Sequence, residues 1–202
     1  MLRSLVSVLS KMSLASLLSL PSLMFLILHV AGGCAGNDAG PGDNTTDCSD
    51  LGVWPAEATT FEAQVLQLVN AQRAQATNCA SGGLFAATSP LQESPVLTCL
   101  ARRHSQRMGL EHFFDHNDPD GSTPFARMTA AGYTYVTAGE NIAAGQTTPA
   151  AVMQAWVNSP PHCSDLMNPN FTETGVGFFA PAGQAAAYPA YWTQDFAKPA
   201  PR

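Results

Sequence analysis

A Leu- and Ser-rich apolar run at residues 12–30 decides how much of this 202-residue chain has to fold together. It is entered past Arg3 and Lys11 and closed by Ala31, Gly32, Gly33 and Cys34. A positive start, an apolar stretch and then small residues are the layout of a targeting segment, so residues 1–33 read as a signal and leave the fold argument. With 46% of the chain apolar and 12% charged, the remainder closes one sizeable core and hardly two. A chain routed out of the cytosol can keep disulfides. The five cysteines less Cys34 leave Cys48, Cys79, Cys99 and Cys163, an even set for which three pairings stay open.

The small residues immediately before Cys34 resemble the lipobox of bacterial lipoproteins. That resemblance implies a lipidated Cys34 and an extracytoplasmic protein, membrane-anchored or secreted. A plain cleaved signal with an odd, exposed Cys34 is one rival reading. An uncleaved helix is the other, since about 20 apolar residues just span a bilayer. Without Arg3 and Lys11 the mature part carries 9 − 2 basic against 15 acidic residues, a formal charge of −8. Such a surface repels nucleic acid and anionic membrane, and its mild acidity needs no meaning beyond solubility. Residues 34–57, rich in Gly, Asn, Asp, Thr and Pro, have the composition of a flexible linker. The folded domain is placed at 58–198 with a tail at 199–202, as a monomer.

Apolar residues at helical spacing start near Thr60, where Phe61, Val65, Leu68 and Val69 form a stripe and Asn70, Gln72, Arg73 and Gln75 lie largely opposite, out to about Ala76. Leu97, Leu100, Ala101, His104 and Met108 share one face of a second helix, so His104 points inward. Ser122 or Thr123, Pro124 and Gly132 punctuate a third. Thr148 and Pro149 open a fourth, with Val152, Ala155 and Trp156 inward and an end near Pro160. Strand patterns occupy 133–136, 140–143, 175–179 and 191–196, the last two joined by a Gly- and Pro-containing loop. Phe113, Phe114, Phe125, Met128, Trp156, Phe178, Phe179 and Trp192 read as core. The class is α+β, an antiparallel sheet covered by helices.

Several motifs follow one another in a fixed order: Phe113-Phe114-Asp115-His116, then Gly139-Glu140-Asn141-Ile142-Ala143, then Trp156 with Asn158-Ser159-Pro160-Pro161-His162. After them come Asn168-Pro169-Asn170-Phe171-Thr172, a Gly175 to Gly177 turn into a strand, and Tyr191-Trp192-Thr193-Gln194. In this order, from about Phe61 to Phe196, they resemble the CAP superfamily (cysteine-rich secretory protein, antigen 5 and pathogenesis-related proteins), of the bacterial type. The resemblance implies a three-layer α-β-α sandwich with a central antiparallel sheet. It also implies a cleft in which His116, Glu140 and His162 match three members of a two-histidine, two-glutamate set. Ser159 stands at the fourth place, where many eukaryotic relatives have glutamate. Relatives with cysteine after the motif histidine commonly have another in the loop after the first helix. By that resemblance Cys79 pairs with Cys163 and Cys48 with Cys99.

Two imidazoles and a carboxylate are a sufficient set for zinc or another divalent metal with one place left to water. The three residues lie on separate elements, so only the resemblance brings them together. Set beside this is a plainer role, in which they hydrogen-bond one another and shape a cleft. A carboxylate beside two histidines would favour the imidazolium form of either and make the cleft respond to pH. His104 and Ser105 are adjacent on a helix and cannot face each other, and no nucleophile elbow exists, so serine hydrolysis has no support. His104 reads as a buried, hydrogen-bonded histidine and His112 as a frayed helix end. Asp115, Asn117, Asp118, Asp120 and Gly121 lack the glutamate of a calcium loop and read as a turn. The leading expectation is a non-enzymatic domain that binds a small apolar ligand or an envelope partner near the cleft, since some relatives bind sterols or fatty acids. A metal-dependent hydrolase built on His116, Glu140 and His162, and a structural envelope lipoprotein with a vestigial cleft, are the alternatives.

Overall fold

In the computed structural model of the chain, residues 48–183 and 186–201 are described. Residues 1–33, read as a signal, Cys34 and most of the stretch read as a linker lie outside them. Helix α1 (Ala56–Arg73) is followed by a small hairpin of β1 (Thr77–Asn78) and β2 (Leu84–Phe85). Then come β3 (Gln92–Glu93), α2 (Pro95–Leu110), α3 (Pro124–Ala130), β4 (Tyr135–Ala144), α4 (Pro149–Val157), α5 (Pro160–Met167), β5 (Glu173–Phe179) and β6 (Tyr191–Pro199). The main sheet runs β3-β5-β6-β4. Its three long strands are antiparallel, as expected, and β3 adds a two-residue parallel edge that no sequence pattern marked.

Alternation along the strands sorts the two faces. Val176, Phe178, Trp192 and Phe196 pack under α1, α4 and α5 with Val65, Val69, Val152, Trp156 and Leu166. On the other face, Leu97 and Leu100 of α2 meet Met128 of α3 and Ala197, while Met108 meets Ile142 and Tyr191. The result is the α-β-α sandwich. Gly175 and Gly177 belong to the second face, and a Cβ on either would fall 2.0 Å from the Thr98 nitrogen or 2.3 Å from the Ala101 carbonyl carbon. The helix backbone of α2 lies directly on these glycines.

The buried stripe of α1 is Ala58, Glu62, Val65, Val69 and Arg73, not the purely apolar one expected, and Leu68 is 38% exposed. Its two charged members are inside because each satisfies buried polar groups. Glu62 accepts from the Phe178 N–H, from Trp54 Nε1 and from Arg102. Arg73, with no carboxylate paired to it among the described residues, donates to the carbonyls of Ser89, Leu166, Asn168 and Phe171.

Caps fall where the sequence placed them. Thr123 and Thr148 accept from the N–H groups of Ala126 and Ala151, prolines fill the first turns, and Gly132 takes φ +73°. The two short strand patterns before Ala143 are one continuous strand, β4. Within the stretch read as linker, the described segment before α1 is held on α2 by the Cys48–Cys99 disulfide and an Asp50–Arg103 ion pair. Phe114 and Phe125, expected in the core, are 45% and 46% exposed, each against one tyrosine at the surface, Tyr188 and Tyr135.

Candidate functional site

His116 sits in the irregular segment between α2 and α3, and three elements fix it. Helix α2 stops at His112, which takes the left-handed φ of +60° while the Phe113 N–H reaches back to the Met108 carbonyl. His104, fully buried on α2, holds both sides of the segment: Nδ1 lies 2.7 Å from Asp118 Oδ1 and Nε2 lies 3.0 Å from the Asp115 carbonyl. Arg127 of α3 donates to the His116 carbonyl at 2.9 Å. Asp118 is fixed in turn by Arg107 and Arg127, and the stretch from Asp115 to Gly121 is a turn with no calcium-loop geometry.

Glu140 rises from β4 on the same face, buried, and both its oxygens are engaged. Oε1 accepts from His116 Nδ1 at 2.8 Å, and Oε2 accepts from the Arg127 guanidinium. The bond to Glu140 raises the His116 imidazole above its ordinary value. Directly across the strand pair stands Asp195, fully buried, with Oδ1 lacking a partner among the described residues. Burial, then the charge of Glu140, pushes the Asp195 carboxyl well up.

His162 reaches the cleft from the opposite side of β4, on a helix the sequence pattern did not reveal. Pro160 and Pro161 look like the end of α4, yet Ser159 is the N-cap and Pro160 the first residue of α5. Ser159 is therefore a helix-start residue and supplies no carboxylate. Three ties fasten α5. Cys163 is bonded to Cys79, as the resemblance implied. Gly82 packs so closely that a Cβ would fall 2.3 Å from Ser164 Oγ. Asn141 Nδ2 donates to the His162 carbonyl at 3.2 Å. Trp156 of the motif donates to the Ile142 carbonyl, tying α4 to the same strand.

Burial, with the His116 charge second, lowers the His162 imidazole, opposite to His116. The expected imidazolium preference thus holds for His116 alone. One helical turn beyond His162 is Asp165, whose carboxyl burial pushes up to about 6 against the opposing pull of His116. Its Oδ1 lies 3.6 Å from where a Gly139 Cβ would be. Sequence reasoning singled out neither Asp165, Arg127 nor Asp195. Only a helical turn drawn through His162 would have brought Asp165 in.

The residues present do not fit a three-ligand metal centre. Glu140 has its oxygens on His116 and on a permanent cation, and no group of three His, Cys, Asp or Glu side chains among the described residues converges on one point. Ser105 is no nucleophile either, since its hydroxyl is buried between the Gly177 carbonyl and Thr193. The arrangement holds His116 through Nδ1, with about half of the side chain exposed.

Comparison with known proteins bears on the family and the fold. The chain is 39% identical over 142 residues to the Bacillus subtilis (strain 168) protein YkwD and 28% identical over 145 residues to its membrane protein YlbC. Those matches take in 70% and 72% of this chain but only 49% and 36% of the relatives. Among solved structures, an extracellular SCP-domain protein of Bacillus anthracis str. Ames superposes with a TM-score of 0.57 at 26% identity, over 73% of this chain and 45% of the other. An outer surface protein of Borrelia burgdorferi gives 0.54 at 18% identity, over 70% and 92%, a likeness of fold alone. The model of the cysteine-rich secretory protein family matches residues 66–196, and the chain belongs to that family, the CAP superfamily.

Proposed function

We propose that this chain is an extracytoplasmic, non-enzymatic binding domain that takes a small apolar ligand of acyl-chain size in the groove between α1 and α4. The groove carries the reading. It has a volume of about 560 Å³, with Phe61, Leu68, Ala71, Pro149 and Ala150 as its apolar wall and Gln64, Gln67 and Thr148 as a polar margin. Ligand sites usually have this size and this mix. It runs along the helices that cover the other face of the sheet from Glu140, so the apolar ligand is not at the His/Glu cleft itself. Some family members bind sterols or fatty acids, which supports the ligand class. Two disulfides and the amino-terminal signal support the location, with Cys34 as the lipid anchor.

The test is titration of the full chain, disulfides intact, with a dansyl fatty acid followed by fluorescence. Saturable one-to-one binding, lost in Leu68→Glu and in Ala150→Glu, supports the reading. A probe that does not bind, or binds all three proteins equally, removes it and leaves the structural-lipoprotein or envelope-partner reading. The metal-hydrolase alternative needs Glu140 free of Arg127. One-to-one zinc heat lost in His116→Ala, Glu140→Ala and His162→Ala alike would revive it.

A further inference from the structure

The two disulfides differ in how a reagent can reach them. Cys79 and Cys163 are 2% and 0% exposed and form a core cluster with Met167, against which Phe85 packs. Cys99 is buried too, but its partner Cys48 is half-buried. Both line a surface hollow of about 410 Å³, together with Glu93, Pro95, Thr98 and Arg102. The segment that Cys48 ties to α2 is lightly packed. Residues 49–51 include no buried side chain, Gly52 has nothing near its Cβ position, and Val53 is 99% exposed. The Asp50–Arg103 ion pair lies at the surface, where such pairs add little. At Trp54 the chain is fixed again, since Nε1 donates to Glu62 at 2.9 Å and the Arg102 guanidinium lies 5.4 Å from the ring centre.

We propose that Cys48–Cys99 is a thiol-exchange site, opened by a small thiol while Cys79–Cys163 stays closed, and that its opening releases residues 48–53 from α2. Access decides which bond reacts, because exchange needs a thiolate to reach a disulfide sulfur. The thiolate enters the hollow and attacks Sγ of Cys48. A mixed disulfide forms there as the Cys48–Cys99 bond breaks and its electron pair leaves on Cys99. A second thiol then attacks the sulfur of the first, so Cys48 leaves as a thiolate and the two reagents depart joined as their own disulfide. Both cysteines take up the protons that the reagents release, and end as thiols. Opening moves the point where the preceding chain leaves the domain from Cys48 to Trp54, six residues or up to about 20 Å of extended chain. The bond therefore sets how far the domain stands from whatever its amino-terminal chain is attached to.

Timed alkylation of the full chain tests this. The thiol of Cys34 is first blocked with N-ethylmaleimide under native conditions, so that it takes no part in exchange. The chain is then exposed to mercaptoethanol, quenched with iodoacetamide at intervals, and its peptides are mapped. Cys48 and Cys99 are expected to open about tenfold or more faster than Cys79 and Cys163, with the mercaptoethanol adduct carried by Cys48. Amide exchange should rise at residues 48–53 while α1 and α5 keep their protection. Equal rates, the reverse order, or an adduct carried by Cys99 overturns the proposal. A chain with both Cys48→Ser and Cys99→Ser supplies a second measure. Its Cys79–Cys163 bond should open as slowly as in wild type. Faster opening would mean that release is not confined to residues 48–53, and would also overturn the proposal.

Discussion

Arg73→Met removes the guanidinium while keeping most of the apolar stem. The arginine has no carboxylate partner among the described residues, so its burial rests on four carbonyls, at 2.8 Å (Ser89), 2.7 Å (Leu166), 3.0 Å (Asn168) and 3.3 Å (Phe171). Burial alone lowers its pKa to about 10, which still leaves it charged at neutral pH. The bonds to Leu166 and Phe171 are wholly buried. Orphaning those two acceptors costs about 1–3 kcal/mol each, and the partly wet pair costs less. Relief from desolvating a lone cation offsets part of this. The expected loss is about 3 kcal/mol, a large share of the roughly 5–15 kcal/mol that holds a domain together. Urea unfolding with disulfides intact should show a lowered midpoint at unchanged slope. Arg73→Lys, able to reach fewer carbonyls, should fall between. A Met variant within about 0.5 kcal/mol of wild type would refute the reasoning.

Other outcomes follow from the same structure. Gly177→Ala sets a Cβ against α2 backbone that cannot swing aside, so a loss of about 3 kcal/mol or outright misfolding is expected on thermal denaturation. Breaking Cys79–Cys163 by a double Ser substitution opens a separation of 84 residues, worth about 4–5 kcal/mol by chain entropy. Amide exchange should then rise first in α5, around His162. His116 is raised in the folded state by Glu140, so its contribution is fully present below its unfolded value of about 6.5 and is lost as pH rises through the higher folded value. The difference in Tm between wild type and His116→Gln should therefore shrink from pH 6 upward, and a difference that grows would contradict the assignment.

The sequence exposes what is periodic and punctuated. The apolar face of α2, the Thr-Pro starts of α3 and α4, and the strand carrying Glu140 all follow from spacing and caps, and the motif order brings His116, Glu140 and His162 to one edge of the sheet. It hides whatever depends on tertiary partners. Arg73 and Glu62 look like surface charges on α1 because their reasons for burial, four carbonyls and one strand N–H, lie 16 to 116 residues away. Helix α5 is masked because prolines at 160 and 161 suit a stop as well as a start. Arg127, which occupies Glu140 and so decides against a free base, sits on a short helix with no pattern of its own pointing to the cleft.

Photocrosslinking separates the groove from the cleft most directly. The full chain, disulfides intact, is irradiated with a diazirine fatty acid and its modified peptides are mapped. Labels at residues 61–71 and 148–150 are the expected result, suppressed by excess unlabelled fatty acid. Saturable labelling concentrated at residues 113–117 or 160–165 would place the apolar ligand in the histidine cleft and contradict the account.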